Sequence, residues 1–410
     1  MARHTVPPTA GLPLHARDLW PWGHAGLAPA LADWLGVPAV QLECSGTSAL
    51  MVALRTLQQL QPQRREVIAP AYTCPLVALA VAQCGLELRL CDMDADALDM
   101  DEVALAALCS PRTLAVLPTH LCGRVADVAM ALRRARAVGA YVVEDAAQAL
   151  GARLDGLPVG WQGDIGFYSL AVGKGLSTFE GGVLVSHDPA LRRALRATSQ
   201  RTVPRSLWWE LRRSVELLGY AALYRPGALG LAYGRPLRQA LARGDWVQAA
   251  GDDFDDRIAQ HPLGRWRQRV GCRALQRLAL FQQQGRAQAL RRGAQLSAMA
   301  GVELVRDAAA GADGADGVWP VLLLRLPSAA VRDTWVRAHW GDGWGLSLPF
   351  VHVLPDYGRY DHVLASARGD DVGQARDWAQ RLVAISNSPW LDDARFAALC
   401  ASLRKALAAG

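Results

Sequence analysis

From about residue 38 onward, short β-rich runs alternate with longer runs of helical spacing, and this alternation restricts the fold more than any other feature. A strand, a helix and a second strand in succession return the chain to the same sheet in the same direction, so the pattern predicts a mostly parallel sheet covered by helices. VPAVQLEC predicts a strand and TSALMVALRTLQQL the helix after it. EVIAP, PLVALAVAQCG and LELRLCDMD repeat the motif as strand, helix and strand, with a glycine stopping the helix. TLAVLPTHLCG, VADVAMALRRARAVG and AYVVEDAAQALGA carry it further, and DIGFYSL and GGVLVSHD predict two strands flanking a loop that contains Lys174. The expectation is an α/β domain over residues 31–255, preceded by an N-terminal segment, residues 1–30.

Beyond this the pattern changes. Trp266 to Leu296 predicts one long helix linking two domains, VWPVLLLRL a strand, DVGQARDWAQRLVAI a helix and DDARFAALCASLRKAL a terminal helix. Residues 256–410 are therefore expected to hold the linker and a smaller α+β domain. Gly and Asp accumulate from Ala308 to Gly317, which predicts an exposed turn. A chain of 410 residues with 51% hydrophobic content can fill two cores. The Trp-rich segment 201–250 fits least well. In SLWWELRRSVELLGYAALY, Leu207, Trp208, Leu211, Val215, Leu218 and Ala222 fall on one helical face. Such a helix packs on its own domain or on a subunit partner, or lies on a membrane surface through residues 201–246.

The formal net charge is +6, with arginine spread widely and no helix-turn-helix, zinc-finger or RNA-binding signature, so nucleic acid is not an expected partner. The eight cysteines stand singly, without CxxC pairs or histidines at metal spacing, which predicts buried free thiols and no metal. The N-terminus lacks a basic stretch followed by an apolar one, and no run reaches the roughly 18 apolar residues of a membrane span. A cytoplasmic protein is expected.

Three features converge near the carboxyl ends of the predicted strands, where open α/β sheets bind ligands. In CSGTSALMVAL a strand ends, Gly46, Thr47 and Ser48 turn, and a helix begins whose N-terminus attracts an anion such as phosphate. Plain helix capping is the competing reading. In YVVEDAAQALGA two consecutive acids close a strand, so one carboxylate points into the domain or the cleft and its neighbour away. Capping of the next helix competes here too. Lys174 is the only lysine or arginine between Arg153 and Arg192, set among small and apolar residues. A salt bridge is its ordinary use, but a partly desolvated ammonium has a lowered pKa and can attack a carbonyl to form a Schiff base. Phosphate cradle, aspartate and lysine together are the minimal equipment for pyridoxal 5'-phosphate.

GTSAL, VIAPAYT, PTHLCGRVAD, VVEDAAQALGA and GDIGFYSLAVGKGLSTFEGGVLVS, in this order and spacing, resemble the DegT/DnrJ/EryC1/StrS aminotransferases. These are fold type I pyridoxal-phosphate enzymes, many acting on nucleotide-linked keto sugars, with a mostly parallel seven-stranded sheet and a smaller C-terminal domain. The likeness runs from Cys44 to about Asp188 and continues loosely to SLPFVHVLPDY. It implies that Lys174 is the Schiff-base lysine and Asp145 the partner of the pyridine nitrogen. It places Gln148 against the ring oxygen, with Ser169 and the turn Gly46, Thr47 and Ser48 on the phosphate. The family usually has an aromatic ring where this chain has Cys74, so Tyr72 or a residue from elsewhere would cover the cofactor. Gln260 or His261 stands near the family's usual asparagine segment. The implied reaction carries an amino group from an amino donor, most often glutamate, to a keto acceptor, in a homodimer. Elimination or carbon–carbon chemistry on another substrate, and a non-catalytic scaffold, remain as alternatives.

Overall fold

The structure, a computed structural model, describes residues 4–23, 26–308 and 314–409. Its strands, in chain order, are β1 Gln41–Glu43, β2 Glu66–Pro70, β3 Glu87–Cys91, β4 Thr113–Val116, β5 Tyr141–Asp145, β6 Arg153–Leu154, β7 Leu157–Pro158, β8 Ile165–Ser169 and β9 Gly182–Val185, then β10 Glu303–Leu304, β11 Ala315–Asp316, β12 Val321–Arg325, β13 Leu346–Ser347 and β14 Leu382–Ser386. Seven of them form one sheet in the order β1-β9-β8-β5-β4-β2-β3. Strands β3, β2, β4, β5 and β8 pair in parallel, and β9 runs antiparallel to both β8 and β1. Every residue of β2, β4, β8 and β9 is buried, as expected of strands with helices over both faces. The helix Gly46–Leu60 packs on this sheet, and its N-cap Ser45 accepts a hydrogen bond from the Ser48 N–H at 3.0 Å.

A second, antiparallel sheet has the order β10-β12-β14-β13, with the helices Ala329–His339 and Asp393–Ala409 packed together beside it. One apolar cluster runs from the helix Gly46–Leu60 through β2 to Trp378 and Leu382, so the two sheets share part of a core.

Several expectations change in the folded chain. The linker is two helices, Arg265–Leu275 and Leu278–Ser297, broken at Gln276 and Arg277. The break lets each bury its own apolar residues, Val270 and Ala274 in the first, Ala289 and Leu296 in the second. In DVGQARDWAQRLVAI the helix ends at Arg381, and Leu382–Ser386 becomes β14, because this short apolar run bonds to strands on both sides. Of the expected turn from Ala308 to Gly317, residues 309–313 lie outside the described residues, while Ala315 and Asp316 pair with Leu154 and Arg153.

The helix Leu207–Leu223 buries Leu217, Tyr220 and Ala221 and turns the opposite, apolar stripe outward. Leu207 is 89% exposed, Trp208 70%, Val215 60% and Leu211 58%. Packing on its own domain therefore does not account for the stripe. Among the described residues, no helix is long and apolar enough to cross a membrane. All eight cysteines are free, with Cys74, Cys109 and Cys272 half-buried and the other five buried.

Candidate active site

The loop between β8 and β9 owes its shape to glycine and to the N-terminal arm. Gly173 has φ +78°, a left-handed conformation, and a Cβ there would lie 2.5 Å from Thr9 Oγ1. The Thr9 hydroxyl donates to the Gly173 carbonyl at 2.8 Å, and the Leu12 N–H donates to the Gly175 carbonyl at 3.0 Å. The arm thus clamps the loop on both sides of Lys174. Burial pushes the Lys174 pKa down, against the opposing fields of Cys74, Asp145 and Cys122.

Strand alternation separates the two acids at the end of β5. Asp145 faces the cavity, and its Oδ1 accepts the Ala147 N–H at 3.0 Å. Burial pushes its pKa up, and that bond and the positive field of Lys174 act against the rise. Glu144 points into the protein, accepting from His120 Nε2 at 3.1 Å, from the Gly160 N–H at 2.7 Å and from the Gly163 N–H.

These groups meet in one cavity of about 390 Å³, whose wall carries Gly46, Thr47, Cys74, Asp145, Gln148, Ser169 and Lys174. At Gly46 a Cβ would stand 3.0 Å from the Ser169 Cβ, so glycine permits the helix N-terminus and Ser169 to close on the same space. Gln148 Oε1 accepts the Cys122 N–H at 2.7 Å, which fixes the amide on the wall. Cys74 caps the helix Pro75–Gln83, and burial raises its thiol pKa to about 12. Two expected residues stand off the wall. Ser48 is fully buried, its Oγ accepting from Gln260 Nε2 at 3.2 Å. Tyr72 exchanges hydrogen bonds with the Phe350 backbone, donating at 3.0 Å and accepting at 3.2 Å.

The wall also includes Thr9 from the arm, His120 after β4, Asp252 and Phe254 just after the Trp-rich segment, and Ser347 and Phe350 from the second sheet's side. His120 was legible as part of PTHLCG, but no local pattern marks Asp252, which reaches the cavity only through the folded chain.

Sequence and fold comparisons bear on this geometry. Residues 25–222 match the DegT/DnrJ/EryC1/StrS aminotransferase family. The match takes in the motifs from Gly46 to Gly182. A curated relative, the UDP-N-acetyl-3-dehydro-alpha-D-glucosamine 3-aminotransferase of Acidithiobacillus ferrooxidans, is 40% identical over 153 residues, 37% of this chain and 41% of that protein. GDP-perosamine synthase of Caulobacter vibrioides is 35% identical over 44% of this chain and 48% of its own. The chain thus spans less than half the length of these relatives. In overall fold it is similar to Helicobacter pylori PseC, an aminotransferase of pseudaminic acid biosynthesis, with TM-score 0.74, 14% identity and all of both chains covered. The sugar aminotransferase CalS13 of Micromonospora echinospora gives TM-score 0.72 at 20% identity, covering 98% of this chain and 100% of that one. The fold is that of the fold type I aminotransferases, with the seven-stranded sheet expected of them.

The wall fits the pyridoxal 5'-phosphate of this family. A half-buried lysine with depressed pKa, a buried carboxylate on the same cavity wall and a glycine-opened helix N-terminus beside Ser169 would suit the aldehyde, the pyridine nitrogen and the phosphate.

Proposed function

We propose that the chain is a pyridoxal-phosphate-dependent aminotransferase. It moves an amino group from an amino acid, glutamate in our reading, to a keto sugar nucleotide or related keto substrate in polysaccharide or secondary-metabolite biosynthesis. The observation that carries this is the meeting of Lys174, Asp145 and the cradle of Gly46, Thr47 and Ser169 in one cavity. The names of the two curated relatives above support the acceptor class.

When bound, the cofactor supplies an aldehyde that joins reversibly to amines and a ring that takes up electrons. Lys174 Nζ would hold the aldehyde carbon, and once displaced by the donor's amine it would carry the proton that shifts between carbons. Asp145 would keep the pyridine nitrogen protonated. Gln148 would lie against the ring oxygen, and Thr47 and Ser169 would hold the phosphate with the helix N-terminus.

Protein loaded with the cofactor should be yellow, borohydride should fix the pyridoxyl group on Lys174, and glutamate should bleach the colour. A protein that takes up no cofactor would overturn the reading. Cys74 on the wall favours a second one, elimination or carbon–carbon chemistry on a non-sugar substrate, because a thiol cannot stack on the ring. In that case no amino acid bleaches the protein while one of them is consumed. A non-catalytic scaffold would bind cofactor and do neither.

We further read the protein as a cytoplasmic homodimer, with residues 31–255 as its cofactor-binding unit and 256–410 as linker and smaller unit. The outward apolar stripe on Leu207–Leu223 supports the dimer, since a second copy would remove it from water.

A further inference from the structure

A second carboxylate lines the cavity and has no part in the reading above. Asp252 is 3% exposed and follows Gly251, whose φ of +83° ends the helix Trp246–Ala250. Its Oδ2 accepts from the Tyr357 hydroxyl at 2.6 Å and from the Val351 N–H at 3.0 Å, while the Tyr360 hydroxyl donates to its backbone carbonyl at 2.6 Å. One tyrosine and one amide therefore hold the carboxylate, and a second tyrosine holds its backbone. Both side-chain bonds fall on one oxygen, which leaves Oδ1 as its remaining acceptor.

The charge pattern of the wall gives that acceptor a meaning. Among the described residues lining the cavity, Lys174 is the single lysine or arginine, while Asp145 and Asp252 are the acids. Burial raises the Asp252 pKa to about 6, so the group is mostly ionised at neutral pH. An ionised acceptor on a wall with so little positive charge suits a ligand rich in hydroxyl donors and repels a carboxylate placed beside it.

We propose that Asp252 is a specificity-determining residue whose Oδ1 accepts a hydrogen bond from a hydroxyl of a polyhydroxylated keto acceptor, favouring a sugar-like ring over a keto acid. The inference rests on the aminotransferase reading. It also assigns a task to the stretch just after the Trp-rich segment, where family motifs say nothing about substrate.

The test uses the cofactor-loaded enzyme, first converted to its amine form with glutamate. Wild type, Asp252→Ala and Asp252→Asn are compared on UDP-N-acetyl-3-dehydro-alpha-D-glucosamine, on the nucleotide-free 2-deoxy-scyllo-inosose and on 2-oxoglutarate. Asp252→Ala should lower kcat/KM for the hydroxylated ketones by about tenfold or more, chiefly through KM, because a site built to bond a hydroxyl loses discrimination when its acceptor goes. Its kcat/KM for 2-oxoglutarate should hold or rise, and Asp252→Asn, which keeps an acceptor oxygen, should recover part of the loss. Equal losses on all three acceptors, or no loss on the hydroxylated ones, would overturn the proposal. If Asp252→Ala does not fold, the split is read from Asp252→Asn alone. If wild type aminates neither ketone, the aminotransferase reading fails on its own account. Calorimetry with the same two ketones then decides on Asp252: a Kd about tenfold weaker in Asp252→Ala, with a smaller loss in Asp252→Asn, supports its role, and equal or absent binding in wild type and variants refutes it.

Discussion

His120 and Glu144 form a fully buried pair, 3.1 Å from Nε2 to Oε2, directly behind Asp145. His120 Nδ1 accepts the Ala126 N–H at 3.1 Å, which puts the ring proton on Nε2 and aims it at Glu144. The His120 N–H donates to the Asp145 carbonyl at 2.9 Å, so the pair braces the strand end that presents Asp145.

Removing the carboxylate should therefore be costly. Glu144→Ala strands the donors of His120, Gly160 and Gly163 in a dry site, and a loss of about 3 kcal/mol is expected. Urea denaturation of the variant checks it, and Glu144→Gln, which keeps one acceptor, should lose less.

Lys174 should reveal its burial through the pH dependence of stability in cofactor-free protein. Its pKa in the folded chain lies below the ordinary 10.5, so the folded state resists the proton that the unfolded chain binds. The resulting cost is full below the depressed pKa and fades as pH rises toward 10.5. Lys174→Met escapes this cost. Its Tm should exceed that of the wild type at pH 7, and the difference should shrink toward pH 10; a constant difference would contradict the burial argument.

At Gly182 the first residue of β9 passes the cradle, and a Cβ would fall 2.0 Å from the Ser45 carbonyl oxygen. Because the obstacle is backbone, Gly182→Ala must push β9 away from the helix N-terminus, at about 2 kcal/mol or more. Cofactor affinity should fall with stability, as equilibrium dialysis of pyridoxal 5'-phosphate would record.

The exposed stripe gives the opposite expectation for stability. Leu211→Glu with Val215→Glu replaces side chains already in water, so unfolding of the monomer should change by no more than about 0.5 kcal/mol each. If a second copy covers the stripe, light scattering should show the mass halved. An unchanged mass with lost flotation on anionic liposomes would instead assign the face to a membrane surface.

Local signals were enough for much of this protein. Apolar runs of four or five residues separated by helical spacing marked β2, β4, β5, β8 and β9, since burial on both faces writes itself into consecutive residues. The order of Gly46, Asp145, Ser169 and Lys174 at strand ends likewise followed from sequence, because each sits where a parallel sheet opens its cleft. Tertiary structure decided what depends on contacts distant in sequence. It turned Ser48 and Tyr72 from the cavity toward Gln260 and Phe350. It converted Leu382–Ile385 from the end of an expected helix into a strand, because pairing partners on both sides outweigh a short local preference. It also brought Thr9, Asp252 and Phe350 to the wall beside Lys174, though their own neighbours in the sequence give no sign of it. Periodicity reports burial along one segment; which segments then share a cavity is set by how the packed layers close, and that information is spread over the whole chain.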